Sequence, residues 1–219
     1  MNFDFSEDQK FLANEARKFL ESQCSMVEVR AILDDESKPY NEGVWKKVVE
    51  MGWLGTSIPE EHGGLGLGML EMCVLAEEMG RVLAPVPFAS TAYFFTEALK
   101  LAGSEPQQAD LFPKIVSGEV VGCYAASEGP GNPDAGSLKT VFDGKTVSGL
   151  KVPVTDGDIA THAVVLAKDG KGASLVLVDL SAKGVTKKVL STLDPTRSHA
   201  ELSFDKVPAT LLGKSGDGA

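Results

Sequence analysis

Two short stretches hold the groups best suited to gripping a ligand. Residues 122–140 read GCYAASEGPGNPDAGSLKT and residues 146–157 read TVSGLKVPVTDG, joined through the turn dipeptide Asp143-Gly144. Each sets small or hydroxylated residues where a strand should end, Ser127 in the first and Thr155 in the second. Hydroxyls beside exposed backbone amides and carbonyls suit a flat cofactor lying against the chain, because little side-chain bulk stands between ligand and backbone. An ordinary turn at the end of a barrel strand accounts for the same spacing equally well.

Other chemistries find less support. Gly213-Lys214-Ser215 has the ending of a phosphate-binding loop, but Pro208 stands where that loop needs its first glycine. The run 63–68, GGLGLG, lacks the GxGxxG spacing and follows no strand-like segment, so it reads as a turn between helices. His62, His162 and His199 are not within metal-ligand spacing of one another, and no metal site is expected. Cys24, Cys73 and Cys123 form no CxxC pair and no disulfide framework, which points to a reducing, cytoplasmic setting. The acidic N-terminus is unlike a signal peptide, and no apolar run reaches the ~20 residues of a membrane span. A net charge of -10 argues against nucleic acid as a partner. That charge is uneven: residues 1–118 carry 10 basic and 19 acidic groups, and residues 119–219 carry 11 and 12, so an anionic ligand meets less repulsion over the second half.

The elements that must position these residues change character near Gly118. Ser6 with Gln9 forms a capping box, and Phe11, Leu12, Ala16, Phe19 and Leu20 follow at helical spacing. Further helices are expected over 41–52, over 69–83 with Met69, Met72, Cys73, Ala76 and Met79 on one face, over 89–101, and over 106–116, with Gly103 and Gly118 as stops. Phe94, Phe95 and Leu99 are expected in core packing, with the lining of an apolar channel as the other use. Beyond Gly118 come short β-rich runs at 120–126, 138–142, 146–154, 163–167, 174–179, 187–190 and 200–204, separated by Asp143-Gly144, Asp156-Gly157 and Asp169-Gly170. Strands without intervening helices favour an antiparallel barrel or sandwich. The expected fold class is therefore α+β: an N-terminal all-α domain over 1–118, a β domain over 119–212, and the start of a link at 213–219.

The chain as a whole resembles the acyl-CoA dehydrogenases. FDFSEDQKFLANEARKFLE is similar to the family's first helix, and WKKVVEMGWLGTSIPEEHGGLGLG followed by LAEEMGRVLAPVPFAST is closer to a fingerprint. YAASEGPGNPD stands where the family has Leu-Thr-Glu-Pro and then Gly-Ser-Asp, and SGLKVPVTDG where it has Asn-Gly-x-Lys-x-Trp-Ile-Thr-Asn-Gly. VPATLLGKSGDGA resembles the link into the family's last, all-helical domain, from which the resemblance implies that the substrate-deprotonating carboxylate and most subunit contacts come.

The resemblance implies FAD as cofactor. Ser127 takes the place of a threonine whose hydroxyl and amide bond the flavin, with Tyr124 and Ala126 on the adjoining strand and Ala126 offering backbone groups. Pro153, Val154 and Thr155 fall on the Trp-Ile-Thr that walls the ring, Pro153 replacing its aromatic residue. Pro133, beside Asp134, falls where the family has a phosphate- or substrate-contacting serine, a role Ser137 takes only if the loop is shifted. Glu128 belongs to a structural and binding segment and is not the base. The implied activity is α,β-dehydrogenation of an acyl-CoA thioester to the 2,3-enoyl-CoA, with an electron-transfer flavoprotein as acceptor and a homo- or hetero-oligomeric assembly. Two alternatives stay open: a noncatalytic subunit of a heteromeric acyl-CoA dehydrogenase, and an acyl-CoA-binding module without redox activity.

Overall fold

In the computed structural model, residues 4–35, 38–131 and 136–218 are described. Helices fill the chain as far as Val116, and strands begin at Gly122. The first helix, α1 (Glu7–Gln23), opens on the expected capping box: Ser6 Oγ accepts from the Gln9 amide at 3.1 Å, and the Ser6 amide donates to Gln9 Oε1 at 3.0 Å. Ala16 and Leu20 are buried, Leu12 and Phe19 partly so, whereas Phe11 faces outward. A short helix that the periodicity missed, α2 (Met26–Leu33), starts at Ser25, whose side chain caps the Glu28 amide. Asn41 caps α3 (Glu42–Glu50), which buries Val44, Trp45 and Val48.

Helix α4 (Met69–Arg81) turns inward a face that overlaps the expected one only at Met72 and Met79. Met72, Val74, Leu75 and Met79 are buried, while Met69 and Cys73 are exposed. Glu78, also buried, receives a two-pronged bond from Arg17 at 2.9 and 2.6 Å, which fixes α4 against α1. The expected helix over 89–101 is a π turn, Ala89–Phe95, running into α5 (Thr96–Ala102). Thr96 Oγ1 reaches back to the Thr91 carbonyl at 2.8 Å within that wide turn. The last helix, α6 (Glu105–Val116), has Ser104 as its cap.

Among the described residues seven strands follow: β1 (Gly122–Ala125), β2 (Val141–Phe142), β3 (Thr146–Thr155), β4 (His162–Lys168), β5 (Ala173–Asp179), β6 (Val185–Val189) and β7 (His199–Leu212). The path β4-β2-β3-β7-β5 closes on itself, because β5 bonds β7 on one edge and β4 on the other. Closure pairs β3, β4, β5 and β7 along both edges, as the barrel expectation required, whereas β6 pairs with β7 alone among the named strands. One part of that expectation is corrected: the sheet is mixed, since β1 and β2 both run parallel to β4 along the same edge. The final strand is also far longer than 200–204, because a single run pairs in turn with β3, β6 and β5.

Alternation along the strands separates the barrel interior from the helical core. Val147, Val154, Ala163, Val165, Val176 and Leu202 point into the barrel, while Val164 and Leu212 on the outer face join the helical core with Phe95, Leu99 and Phe112. The π turn packs directly on β1. Thr91 Oγ1 accepts from the Gly122 amide at 3.2 Å, and a side chain at Gly122 would place its Cβ 2.1 Å from Phe95 Cγ.

Candidate functional site

The two chemistry-bearing stretches meet edge to edge. The Val152 amide donates to the Ser127 carbonyl at 2.8 Å and the Gly129 amide to the Val152 carbonyl at 2.9 Å, so the end of the β1 segment lies alongside β3. A buried ion pair locks this junction. Lys151 Nζ, fully shielded from solvent, donates to the Ala126 carbonyl at 2.9 Å and to Glu128 Oε1 at 2.8 Å. Glu128 also accepts from the Lys139 and Thr140 amides at 2.7 and 2.9 Å, fastening the loop that returns from 136–140. Burial alone would raise the Glu128 pKa, but the bonds from Lys151, Thr140 and Lys139 bring it down to about 2. Its oxygens are committed to the fold, as a structural role for this segment requires.

Each sequence-predicted residue has a distinct place around this junction. Tyr124 packs against the helical core, and burial raises its phenol pKa. Ala126 packs against Leu138, Leu166 and Ala173, and its carbonyl is taken by Lys151. Val154 turns its side chain into the barrel interior, which leaves only its backbone for a ligand. Pro153 is exposed, whereas Ser127 and Thr155 are partly exposed, and neither hydroxyl has a hydrogen-bond partner among the described residues. Pro133 and Asp134 lie outside the described residues; Ser137 is described and is not free.

Thr155 forms part of the wall of a cleft of about 260 Å³ between the helices and the barrel. Met79, Leu83, Val86, Phe88 and Tyr93 supply its large apolar side chains, with the Phe88 and Tyr93 rings edge to face at 5.3 Å. Phe94, Phe95 and Leu99 do not line it: Phe95 and Leu99 are core, and Phe94 is 57% exposed. At the seam of the cleft lies a group that the sequence marks only as half of an Asp-Gly turn. Asp156, buried and with φ 56°, pairs with Arg197 and accepts from Ser90 Oγ at 2.5 Å. Arg197 also donates to the Val86 carbonyl, so one guanidinium ties the barrel to the helical layer. The partners are distant in sequence and no local pattern links them; an Asp in place of the Asn of Trp-Ile-Thr-Asn-Gly was the one available signal.

Apolar walls, two uncommitted hydroxyls and a rigid backbone junction can orient a flat polar ring beside an apolar tail. No group of three or more His, Cys, Asp or Glu among the described residues is placed to hold a metal ion. No helix among them is long and apolar enough to cross a membrane.

Residues 6–119 match the sequence profile of the acyl-CoA dehydrogenase N-terminal domain, and the chain belongs to the acyl-CoA dehydrogenase family. Acryloyl-CoA reductase (NADH) of Anaerotignum propionicum is 31% identical over 235 residues, covering 100% of this chain and 59% of the reductase. Mitochondrial isovaleryl-CoA dehydrogenase of Pongo abelii is 31% identical over 97% of this chain and 54% of its own length. The chain thus spans little more than half the length of these relatives. Among solved structures, the Tcur3481-Tcur3483 steroid ACAD superposes with TM-score 0.85 at 33% identity, over 94% of this chain and 57% of that one. An acyl-CoA dehydrogenase of Bacillus anthracis complexed with FAD has the same fold, with TM-score 0.88 at 24% identity over 98% of this chain and 40% of that one.

Proposed function

We propose that this chain is the flavin- and acyl-CoA-holding part of an FAD-dependent acyl-CoA dehydrogenase, which converts an acyl-CoA thioester to the 2,3-enoyl-CoA. The observation that carries this reading is the pair of unpartnered hydroxyls, Ser127 and Thr155, on two segments fastened together through Val152, with Thr155 in the wall of an apolar cleft. Ser127 and Thr155 donate hydrogen bonds to the polar edge of the ring. The Lys151–Glu128 pair fixes the spacing between their segments in advance, so little order is lost on binding. Met79, Leu83, Val86 and Phe88 take the acyl tail and keep water from it. Bound in this site, FAD would supply the acceptor for the hydride leaving the acyl β-carbon. The α-proton requires a carboxylate that the cleft lining does not include, and Glu128 is already engaged. Partners on this reading are the acyl-CoA substrate, an electron-transfer flavoprotein and further subunits of a homo- or hetero-oligomer.

The test is the visible absorption spectrum of the purified protein together with its intact mass. An oxidised-flavin band that weakens in a Thr155→Val variant supports the assignment. A colourless protein that stays colourless after incubation with FAD overturns it. One observation favours a second reading, a noncatalytic subunit of a heteromeric dehydrogenase: Pro153 is exposed where the family's aromatic wall would stand, and it offers neither an aromatic face nor an amide. This second reading predicts a flavin band only when a partner chain is present.

A further inference from the structure

Only one charged side chain lines the cleft among the described residues, and it is already answered from within the protein. Arg197 reaches the wall between Thr155 and Val86. One of its terminal nitrogens pairs with Asp156, the other donates to the Val86 carbonyl, and its Nε is buried without a partner. Asp156 does not line the cleft; it lies beneath at 2% exposure, held also by Ser90 Oγ and, at 3.4 Å, by Ser198 Oγ. An uncompensated guanidinium beside an apolar space would recruit a carboxylate from any ligand able to bring one, since fork-shaped pairing with carboxylates is what this group does best. Here the carboxylate is built in, at a position where the family segment quoted above has asparagine.

We propose that Asp156 determines the class of acyl tail: by neutralising Arg197 from below, it reserves the cleft for uncharged tails and turns away those ending in a carboxylate. The proposal rests on the acyl-CoA reading of the cleft. A carboxylated tail would enter an apolar space with no free cation to meet it, which costs far more than the loss of a few apolar contacts.

The experiment compares valeryl-CoA with glutaryl-CoA, five-carbon tails ending in a methyl group and a carboxylate. Affinity is measured by titration calorimetry on the native assembly with its cofactor. The native protein should prefer valeryl-CoA by about 100-fold or more. Asp156→Asn should narrow that ratio at least about tenfold, and adding Arg197→Gln should abolish the gain, because the freed guanidinium is its source. Should Asp156→Asn fail to fold, Asp156→Ser makes the same comparison with a smaller side chain. Equal affinities in the native protein, an unchanged ratio in a folded Asp156 variant, or a gain that survives Arg197→Gln each overturn the proposal. Failure of the native protein to bind either thioester overturns the acyl-CoA reading instead.

Discussion

At the scale of single residues, Lys151 and Glu128 set the terms for everything around them. A fully buried ammonium is tolerated only because a carboxylate and a carbonyl receive it, and removing one partner strands the other. We therefore expect Glu128→Gln to cost about 3–5 kcal/mol at neutral pH in urea unfolding. Acid should show the same pair from the other side. Glu128 has its pKa lowered from an ordinary 4.5 to about 2 in the folded state, so its stabilisation is present above about pH 4.5 and lost as the pH falls toward 2. That loss amounts to roughly 3 kcal/mol, and the variant should lack this part of the acid limb; identical limbs in the two proteins would refute the account. Ser127 and Thr155 were legible in the sequence because hydroxyls at strand ends are a local pattern. Asp156 with Arg197 was not, because a pair separated by 41 positions leaves no local trace.

Among the elements, the contact between the π turn and β1 decides how the helices sit on the barrel. Gly122 is the point of closest approach, where only a hydrogen leaves room for Phe95. Gly122→Ala should destabilise by about 3 kcal/mol, the upper end for overpacking, as read from the denaturant midpoint at unchanged slope. Combining it with Phe95→Ala should cost at least ~1 kcal/mol less than the sum of the single changes, because the two share one space; simple additivity would show that the clash is relieved elsewhere. Helix spacing disclosed α1, α3, α4 and α6 but not α2, whose eight residues are too few for Val29, Ile32 and Leu33 on one face to stand out as a sustained period. It placed the inward face of α4 correctly at Met72 and Met79 but not at Met69 and Cys73, since methionines lie on both sides. Strand periodicity located each of β1 to β7 yet could not reveal that β1 and β2 run parallel to β4, because alternation has the same period in either direction.

For the molecule as a whole, the question is whether helices and barrel form one cooperative unit. The barrel has its own interior, but Val164 and Leu212 on its outer face are buried in the helical core, and the Asp156–Arg197 pair and the Gln107 bond to the Leu211 carbonyl at 3.0 Å cross the same boundary. Severing that boundary would expose fully shielded aliphatic and aromatic side chains on both sides, a penalty neither part escapes by unfolding alone. One transition is therefore expected. The chain offers a clean way to see it, because both tryptophans, Trp45 and Trp53, lie in the helical core. Their fluorescence reports the helices, and amide exchange along β3 and β7 reports the barrel. The two should share one denaturant midpoint, and Val164→Ala should move both together by the same amount. Separate midpoints, or a shift confined to the tryptophan signal, would mean that the cleft lies between two independently stable bodies and that its shape depends on how they dock.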